Sequence, residues 1–153
     1  MTARVQTDAF DLGQEMAGFG QGAGAIVTFS GLVRDEGGRL VALEIEHYPG
    51  MTEKALDAYG REAAARFDLT DWRIIHRHGR LQAGEQIMMV ATAARHRAAA
   101  FEAAEYLMDW LKSRAPFWKR EITTEGPGDW VEAKGSDEDA LARWQGTSCN
   151  PAD

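Results

Sequence analysis

The chain of 153 residues is poor in cysteine and contains no long apolar run. A single cysteine, Cys149, excludes an internal disulfide, which is typical of a protein from a reducing compartment. Cys149 lies in a polar tail and is therefore a poor candidate nucleophile. No apolar stretch approaches the roughly 20 residues that a membrane-spanning helix needs, and the first ten residues lack the apolar core of a secretory signal. We therefore expect a cytoplasmic protein.

Basic residues are also too few for a nucleic-acid binder. The chain has 17 Lys and Arg against 24 Asp and Glu, a net charge of −7, whereas general affinity for nucleic acid requires a basic face that neutralises phosphates. His76 and His78 are two residues apart on a predicted edge strand, but no third ligand follows at a metal-site spacing. Ser30 and Ser113 lack the nucleophile-elbow motif of hydrolases. We predict no metal and no other cofactor.

The order of apolar patterns predicts an α+β sandwich in which helices pack on a mainly antiparallel sheet. We expect one domain over residues 1–153, with a core at about 24–144 and a flexible tail at 145–153. The first two main strands should pair as a hairpin around the turn at 35–38. Predicted strands cover 25–33, 40–48, 72–78, 86–93, 117–124 and 130–132, and predicted helices cover 10–17, about 52–67, a segment ending near 113, and 137–144.

A helix that ends beside a proline organises the second half of the chain. Phe101, Leu107 and Leu111 belong to an apolar stripe at three- and four-residue spacing, so this helix should dock on the core. Pro116 disfavours helical geometry at the residue before it, so the helix should end near Ser113 or Arg114. Lys112 then lies in the last turn and Lys119 in an extended segment beyond the break. A helix, a turn and a strand can direct both lysines into one pocket.

The charge of this region differs from that of the rest of the chain. Residues 95–121 carry six Lys or Arg and four acids, a net charge of +2, while the remaining residues sum to −9. Arginine forks and lysine ammonium groups suit an anionic substrate, although cations at a helix end are also ordinary solvated charges. The candidate binding residues are Arg34, His96, Arg97, Lys112, Lys119 and Arg120.

Four motifs occur together in order: TFSGLVR, LEIEHYPGMTEKAL, RHRAAAF and LKSRAPFWKRE. Over roughly residues 24–144 the chain resembles the large, catalytic subunit of molybdopterin synthase, which implies an α/β-hammerhead-like fold. The resemblance implies a sulfurtransferase that converts cyclic pyranopterin monophosphate to molybdopterin. It also implies a small ubiquitin-like carrier subunit, whose C-terminal Gly-Gly thiocarboxylate supplies the sulfur, and a heterotetramer built around a homodimer of the large subunit.

The resemblance also implies roles for individual residues. Lys112 and Lys119 match the family's catalytic lysines, and the other matching positions bind substrate: Arg34, His96, Arg97, Arg120, Glu121 and, reaching the neighbouring subunit's pocket, Lys134. Lys119 is the better candidate for acid–base or covalent chemistry, because Phe117 and Trp118 would partly desolvate it. Lys112 would neutralise the thiocarboxylate or the substrate. Leu32 departs from the polar or basic residue of many relatives, so only a backbone contact is expected there.

Two alternatives are compatible with the sequence. A non-catalytic module could bind the carrier or an anionic ligand without turnover, and loss of Lys112 or Lys119 would be its signature. Both lysines are present. A generic α+β scaffold with a solvated basic helix end would not explain why four motifs occur together.

Overall fold

The computed structural model describes residues 1–131 and 135–145. Eight strands and four helices occur in these ranges. In chain order they are β1 (Thr2–Gln6), α1 (Leu12–Met16), β2 (Ala25–Leu32), β3 (Leu40–His47), α2 (Met51–Phe67), β4 (Leu69–Arg77), β5 (Gly79–Leu81), β6 (Gln86–Ala94), α3 (Arg97–Ser113), β7 (Phe117–Thr123), β8 (Gly126–Pro127) and α4 (Gly135–Gln145).

The strands form two four-stranded sheets. The first has the order β1-β4-β6-β2 and the second has the order β5-β3-β7-β8. Only the β1–β4 pair is parallel, so the prediction of an α+β protein with mainly antiparallel pairing is confirmed. Among the described residues, no helix combines the length and apolar content that crossing a membrane requires. Cytoplasmic location stays a prediction.

The first sheet is covered on both faces, and this explains why β6 is apolar along nearly its whole length. Ile74 of β4 belongs to the main core, which includes Leu56 of α2 and Leu107 of α3. The next residue, Ile75, points to the opposite face and packs with Phe19 and a small cluster near α1. Because successive strand residues alternate between faces, an internal strand covered on both sides favours apolar residues at both alternating sets of positions. The apolar run at 86–93 predicts a central strand on this ground, and the internal position of β6 in the first sheet confirms it.

The predicted hairpin of the first two main strands is wrong. β2 pairs with β6 in the first sheet, whereas β3 pairs with β5 and β7 in the second. After β2 the chain leaves the first sheet at Val33, whose N–H donates to Glu85 O (2.9 Å) and whose carbonyl accepts from Gly84 N–H (2.8 Å). These bonds attach the end of β2 to the loop before β6. The chain therefore crosses to the second sheet and does not form a hairpin turn.

Several shorter elements also differ from the predictions. β1 was not expected, because the sequence TARVQ is short and largely polar, yet it pairs in parallel with β4. The stretches predicted as a loop at 79–85 and a turn at 126–128 contain β5 and β8. In the described part of the strand predicted at 130–132, Val131 pairs in an isolated bridge with Lys119. Position 132 and most of the predicted tail lie outside the described residues.

Strand alternation at Val41 and helical spacing at Met51 and Phe101 predict that these apolar residues face inward, but the structure exposes them (42 %, 56 % and 61 %). A pairing irregularity between Leu40 and Ala42 shifts the register of β3, so that Ala42 is buried in place of Val41. On α3 the buried residues near Phe101 are Ala100, Ala103 and Ala104. The buried face of the helix is therefore displaced from Phe101 towards these alanines.

The residue type of Thr52 predicts that it caps the N-terminus of α2, and this prediction is wrong. Gly50 is the N-cap, and the Glu53 carboxylate accepts its N–H at 2.7 Å. Thr52 is fully buried, and its hydroxyl both accepts from Tyr48 N–H and donates to Tyr48 O. The hydroxyl thus ties the helix to the preceding turn.

Candidate functional site

The C-terminus of α3 is formed as the sequence predicted. The helix ends at Ser113, and the Arg114 N–H donates to Trp110 O at 2.8 Å before the chain turns through Pro116. Lys112 is exposed in the last turn, where a cation is favoured by the helix dipole. In the part of the chain whose side chains the structure describes, Lys112 forms no ion pair. Its charge therefore remains available to a ligand.

β7 carries the second lysine back alongside β3. Phe117 starts the strand and is buried, and Lys119, two residues later, lies on the same face and is half-buried. The backbone of Lys119 is fixed on both sides: it pairs opposite Ile45 of β3 and exchanges hydrogen bonds with Val131 (3.1 and 2.7 Å). A rigid strand therefore positions this side chain, which is favourable for a catalytic group.

A wide cleft of about 1330 Å³ lies where α3, β7 and the end of β2 meet, and we call it the cationic cleft. Five predicted site residues border it, so one protomer brings together most of the predicted set. These residues are Arg34, Lys112, Lys119, Arg120 and Glu121. The apolar walls come from β2 and the turn after α3, including Phe29, Leu32 and Pro116.

A second, smaller cavity of about 80 Å³ adjoins the same elements. It is bordered by both lysines, Lys112 and Lys119, and by His76 of β4. The His76 ring is only 4 % exposed and stacks on Phe117, with ring centroids 3.7 Å apart and planes 17° apart. Sequence reasoning missed His76, because β4 was predicted to be an exposed edge strand.

His76 is neutral in the folded protein. Burial, followed by the positive charges of Lys119 and Lys112, lowers the pKa of His76 from 6.5 to about 3. Its Nδ1 lies 2.8 Å from the carbonyl oxygen of Arg77. Since a carbonyl only accepts, Nδ1 carries the proton and Nε2 has a free lone pair.

Two predicted binding residues have charged partners of their own in the structure. Arg34 lies at the cleft mouth, is 78 % exposed and forms an ion pair with Glu36. Arg120 points to the opposite face of β7 from Lys119, and its Nε and an Nη donate to Glu44 Oε2 at 2.9 and 2.8 Å. Its guanidinium also lies 4.5 Å from the ring centroid of Trp130. The structure therefore gives Arg120 a structural contact that the sequence did not indicate.

His96 and Arg97 do not border the cationic cleft of their own protomer. His96 is the N-cap of α3 and Arg97 its first residue, so a straight helix separates Arg97 from Lys112 by about 22 Å. Both side chains are exposed. Lys134 lies outside the described residues. No group of three or more metal-ligating side chains occurs among the described residues.

The fold and the site define an α+β protein with a cleft that two lysines from separate elements border. The family model for MoaE protein matches residues 5–114. A molybdopterin synthase catalytic subunit from Cereibacter sphaeroides is 61 % identical over 147 residues, which cover 94 % of this chain and 100 % of that protein. The chain belongs to the MoaE family, and this membership makes it an enzyme of molybdenum cofactor biosynthesis.

Solved structures agree with this assignment. The molybdopterin biosynthesis MoaE protein from Burkholderia ambifaria superposes with a TM-score of 0.82 at 49 % identity, covering 95 % of this chain and 99 % of that one. A complex of subunits 1 and 2 of molybdopterin-converting factor from Helicobacter pylori matches with a TM-score of 0.70 at 19 % identity, covering 87 % and 90 %. The second likeness supports the fold alone.

Proposed function

We propose that cyclic pyranopterin monophosphate is converted to molybdopterin in the cationic cleft. The pterin gains its sulfur from the C-terminal thiocarboxylate of a small carrier subunit. The observation that carries this proposal is the convergence of Lys112 and Lys119 from a helix end and a strand onto one cleft. The substrate and the thiocarboxylate are both anionic, so two cations at one site suit both. Relatives named as molybdopterin synthase catalytic subunits support the same activity.

Among the described residues, no thiol borders the cationic cleft, and the one cysteine of the sequence, Cys149, lies outside them. In this proposal the sulfur arrives on another molecule, and a carrier tail ending in Gly-Gly is narrow enough to enter a cleft.

The two lysines take different roles in this proposal. Lys119 is half-buried beside Phe117 and fixed by strand pairing, so it serves as the proton donor and acceptor at the reacting carbon. Lys112 is exposed at the mouth of the small cavity and neutralises the thiocarboxylate. Arg34 exchanges its exposed partner Glu36 for the substrate phosphate. Arg120, bound to Glu44, holds the strand that carries Lys119 and does not contact substrate directly.

Mass spectrometry of the pterin product tests this function. Purified protein is mixed with cyclic pyranopterin monophosphate and a thiocarboxylated carrier, and a carrier with an ordinary carboxylate is the control. The proposal expects a product that has gained two sulfurs only with the thiocarboxylate. Binding of the carrier without sulfur gain would instead indicate a non-catalytic module.

A homodimer completes the site in this proposal. His96 and Arg97 lie about 22 Å from Lys112 within one protomer, too far to share a small ligand with it. A second copy of the chain can present its own His96 and Arg97 at the cleft of the first. The predicted contact of Lys134 with the neighbouring pocket belongs to the same arrangement.

Mixing two inactive variants tests the shared site. Lys119→Ala and Arg97→Ala chains are unfolded together, refolded as a mixture and assayed beside each variant alone. If Arg97 acts across the dimer, half of the dimers hold one intact site, and activity returns to about a quarter of the wild-type value. No recovery, with mixed dimers shown by native mass spectrometry, would mean that Arg97 does not act across the dimer.

A further inference from the structure

His76 is a buried polar side chain that the proposed reaction leaves unused. It is the only histidine among the described residues that borders a cavity shared with both lysines. Burying an imidazole without need is costly, because its hydrogen-bonding groups lose water. The Nδ1 bond to the Arg77 carbonyl satisfies one ring nitrogen and places the acceptor, Nε2, at the far end of the ring.

We propose that His76 is a positioning residue for Lys119: its neutral imidazole accepts a hydrogen bond through Nε2 from the lysine ammonium in the 80 Å³ cavity. The role of Lys119 itself rests on the proposed function. The stack on Phe117, at 3.7 Å between centroids, fixes the plane of the ring, and Phe117 begins the strand that carries Lys119. One aromatic contact therefore sets the relative position of acceptor and donor.

The surroundings of His76 keep it an acceptor and prevent it from becoming a competing cation. Three charged or titratable groups face it from other elements: Lys119 of β7, Lys112 of α3 and His47 of β3. On its own strand the neighbouring Arg77 directs its guanidinium away, to the Thr7 carbonyl (2.9 and 3.1 Å) and towards Glu85. A protonated imidazole would face two ammonium groups at close range, so the neutral form is the one that this cavity accommodates.

Two variants separate the hydrogen bond from the packing. His76→Phe keeps an aromatic ring for the stack on Phe117 but removes both nitrogens. His76→Gln gives up the ring but keeps a neutral side chain with an acceptor oxygen. If the acceptor atom matters, the pH dependence of Lys119 reactivity in His76→Gln should resemble that of the native protein. In His76→Phe it should differ.

The readout is the reactivity of individual lysines, measured by trace acetylation between pH 6 and 11 and tandem mass spectrometry of the peptide that contains Lys112 and Lys119. Losing a hydrogen bond to a charged group shifts a protonation equilibrium by about tenfold. In His76→Phe the pH midpoint for labelling of Lys119 should therefore fall by about one unit. The exposed Lys112 serves as the internal reference and should stay unchanged.

Three results would overturn the proposal: no shift in His76→Phe, an equal shift in His76→Gln, or an equal shift at Lys112. The assay uses neither pterin nor carrier, so a failure of the proposed sulfur transfer would not affect it. If neither variant folds, long-range ¹H–¹⁵N NMR of the native protein at pH 7 decides the point. The proposal requires a proton on Nδ1 and none on Nε2, and the opposite tautomer would contradict it.

Discussion

The stability of the protein should fall between pH 8 and pH 5 by an amount that His76 alone largely determines. Burial and the neighbouring lysines lower the pKa of His76 to about 3 in the folded protein, whereas an unfolded chain has the ordinary value of 6.5. Below pH 6.5 the unfolded state therefore binds a proton that the folded state excludes. The contribution of neutral His76 to the free energy of unfolding is complete above pH 6.5 and is lost progressively as the pH falls towards 3.

The expected loss of unfolding free energy follows from the pKa of His76 in the folded and in the unfolded chain. At pH 5 the unfolded histidine is almost fully protonated and the folded one is not, so the free energy of unfolding decreases by about 2 kcal/mol relative to pH 8. This figure depends mainly on the unfolded value, because pH 5 lies well above the folded pKa of about 3. Burial also lowers the pKa of His78, with a further contribution from His47, and this adds a smaller loss of the same sign.

Urea unfolding at pH 8 and pH 5, followed by circular dichroism, measures the effect. His76→Gln is the matched variant, because glutamine does not titrate while the contribution of His78 remains. The difference in unfolding free energy between the two pH values should be about 2 kcal/mol smaller in the variant than in the native chain. An equal pH dependence in both proteins would show that His76 is not held neutral by its surroundings, and the reasoning would be refuted.

Three further predictions concern packing and charge. A Cβ on Gly60 would lie 2.3 Å from the buried ring of Trp72, so Gly60→Ala should lose about 1–3 kcal/mol in urea unfolding, whereas Gly37→Ala, with open space around it, should lose none. Glu44→Gln removes the charged partner of the part-exposed Arg120 and should lower the free energy of unfolding by less than about 1 kcal/mol. A larger loss would mean that the Arg120–Glu44 pair stabilises the fold more than a surface ion pair does. Lys112→Ala should change stability by less than about 1 kcal/mol while slowing turnover at limiting carrier concentration, and a large loss of stability would assign Lys112 a structural role.

The half of the site that surrounds Pro116 could be predicted from sequence because its signals are local. A proline ends a helix through its own ring and its missing N–H, so the positions of Lys112 and Lys119 on either side of the break follow from neighbouring residues. The alternation of side chains along a strand likewise places Phe117 and Lys119 on one face. These inferences need no knowledge of which strands pair.

The rest depends on contacts between distant segments. β2 and β3 are adjacent in sequence and were expected to pair, but the pattern of a strand does not identify its partner. The unpredicted strand β1 covers β4 on its outer side, and without it His76 looked like a residue on an exposed edge. His96 and Arg97 share a helix with Lys112, yet the length of that helix separates them, so a single protomer does not bring them to one small ligand.

The central claim is that Lys119 carries the chemistry of the cationic cleft. The most direct measurement is the single-turnover rate of sulfur gain by cyclic pyranopterin monophosphate, with the carrier thiocarboxylate in excess, for the native chain, Lys119→Ala and Lys112→Ala. Removal of a positioned acid–base group should slow the Lys119→Ala reaction by about 10²–10⁴-fold even at saturating carrier. The Lys112→Ala reaction should be partly restored by raising the carrier concentration. Full turnover by Lys119→Ala together with none by Lys112→Ala would contradict the account and reverse the two roles.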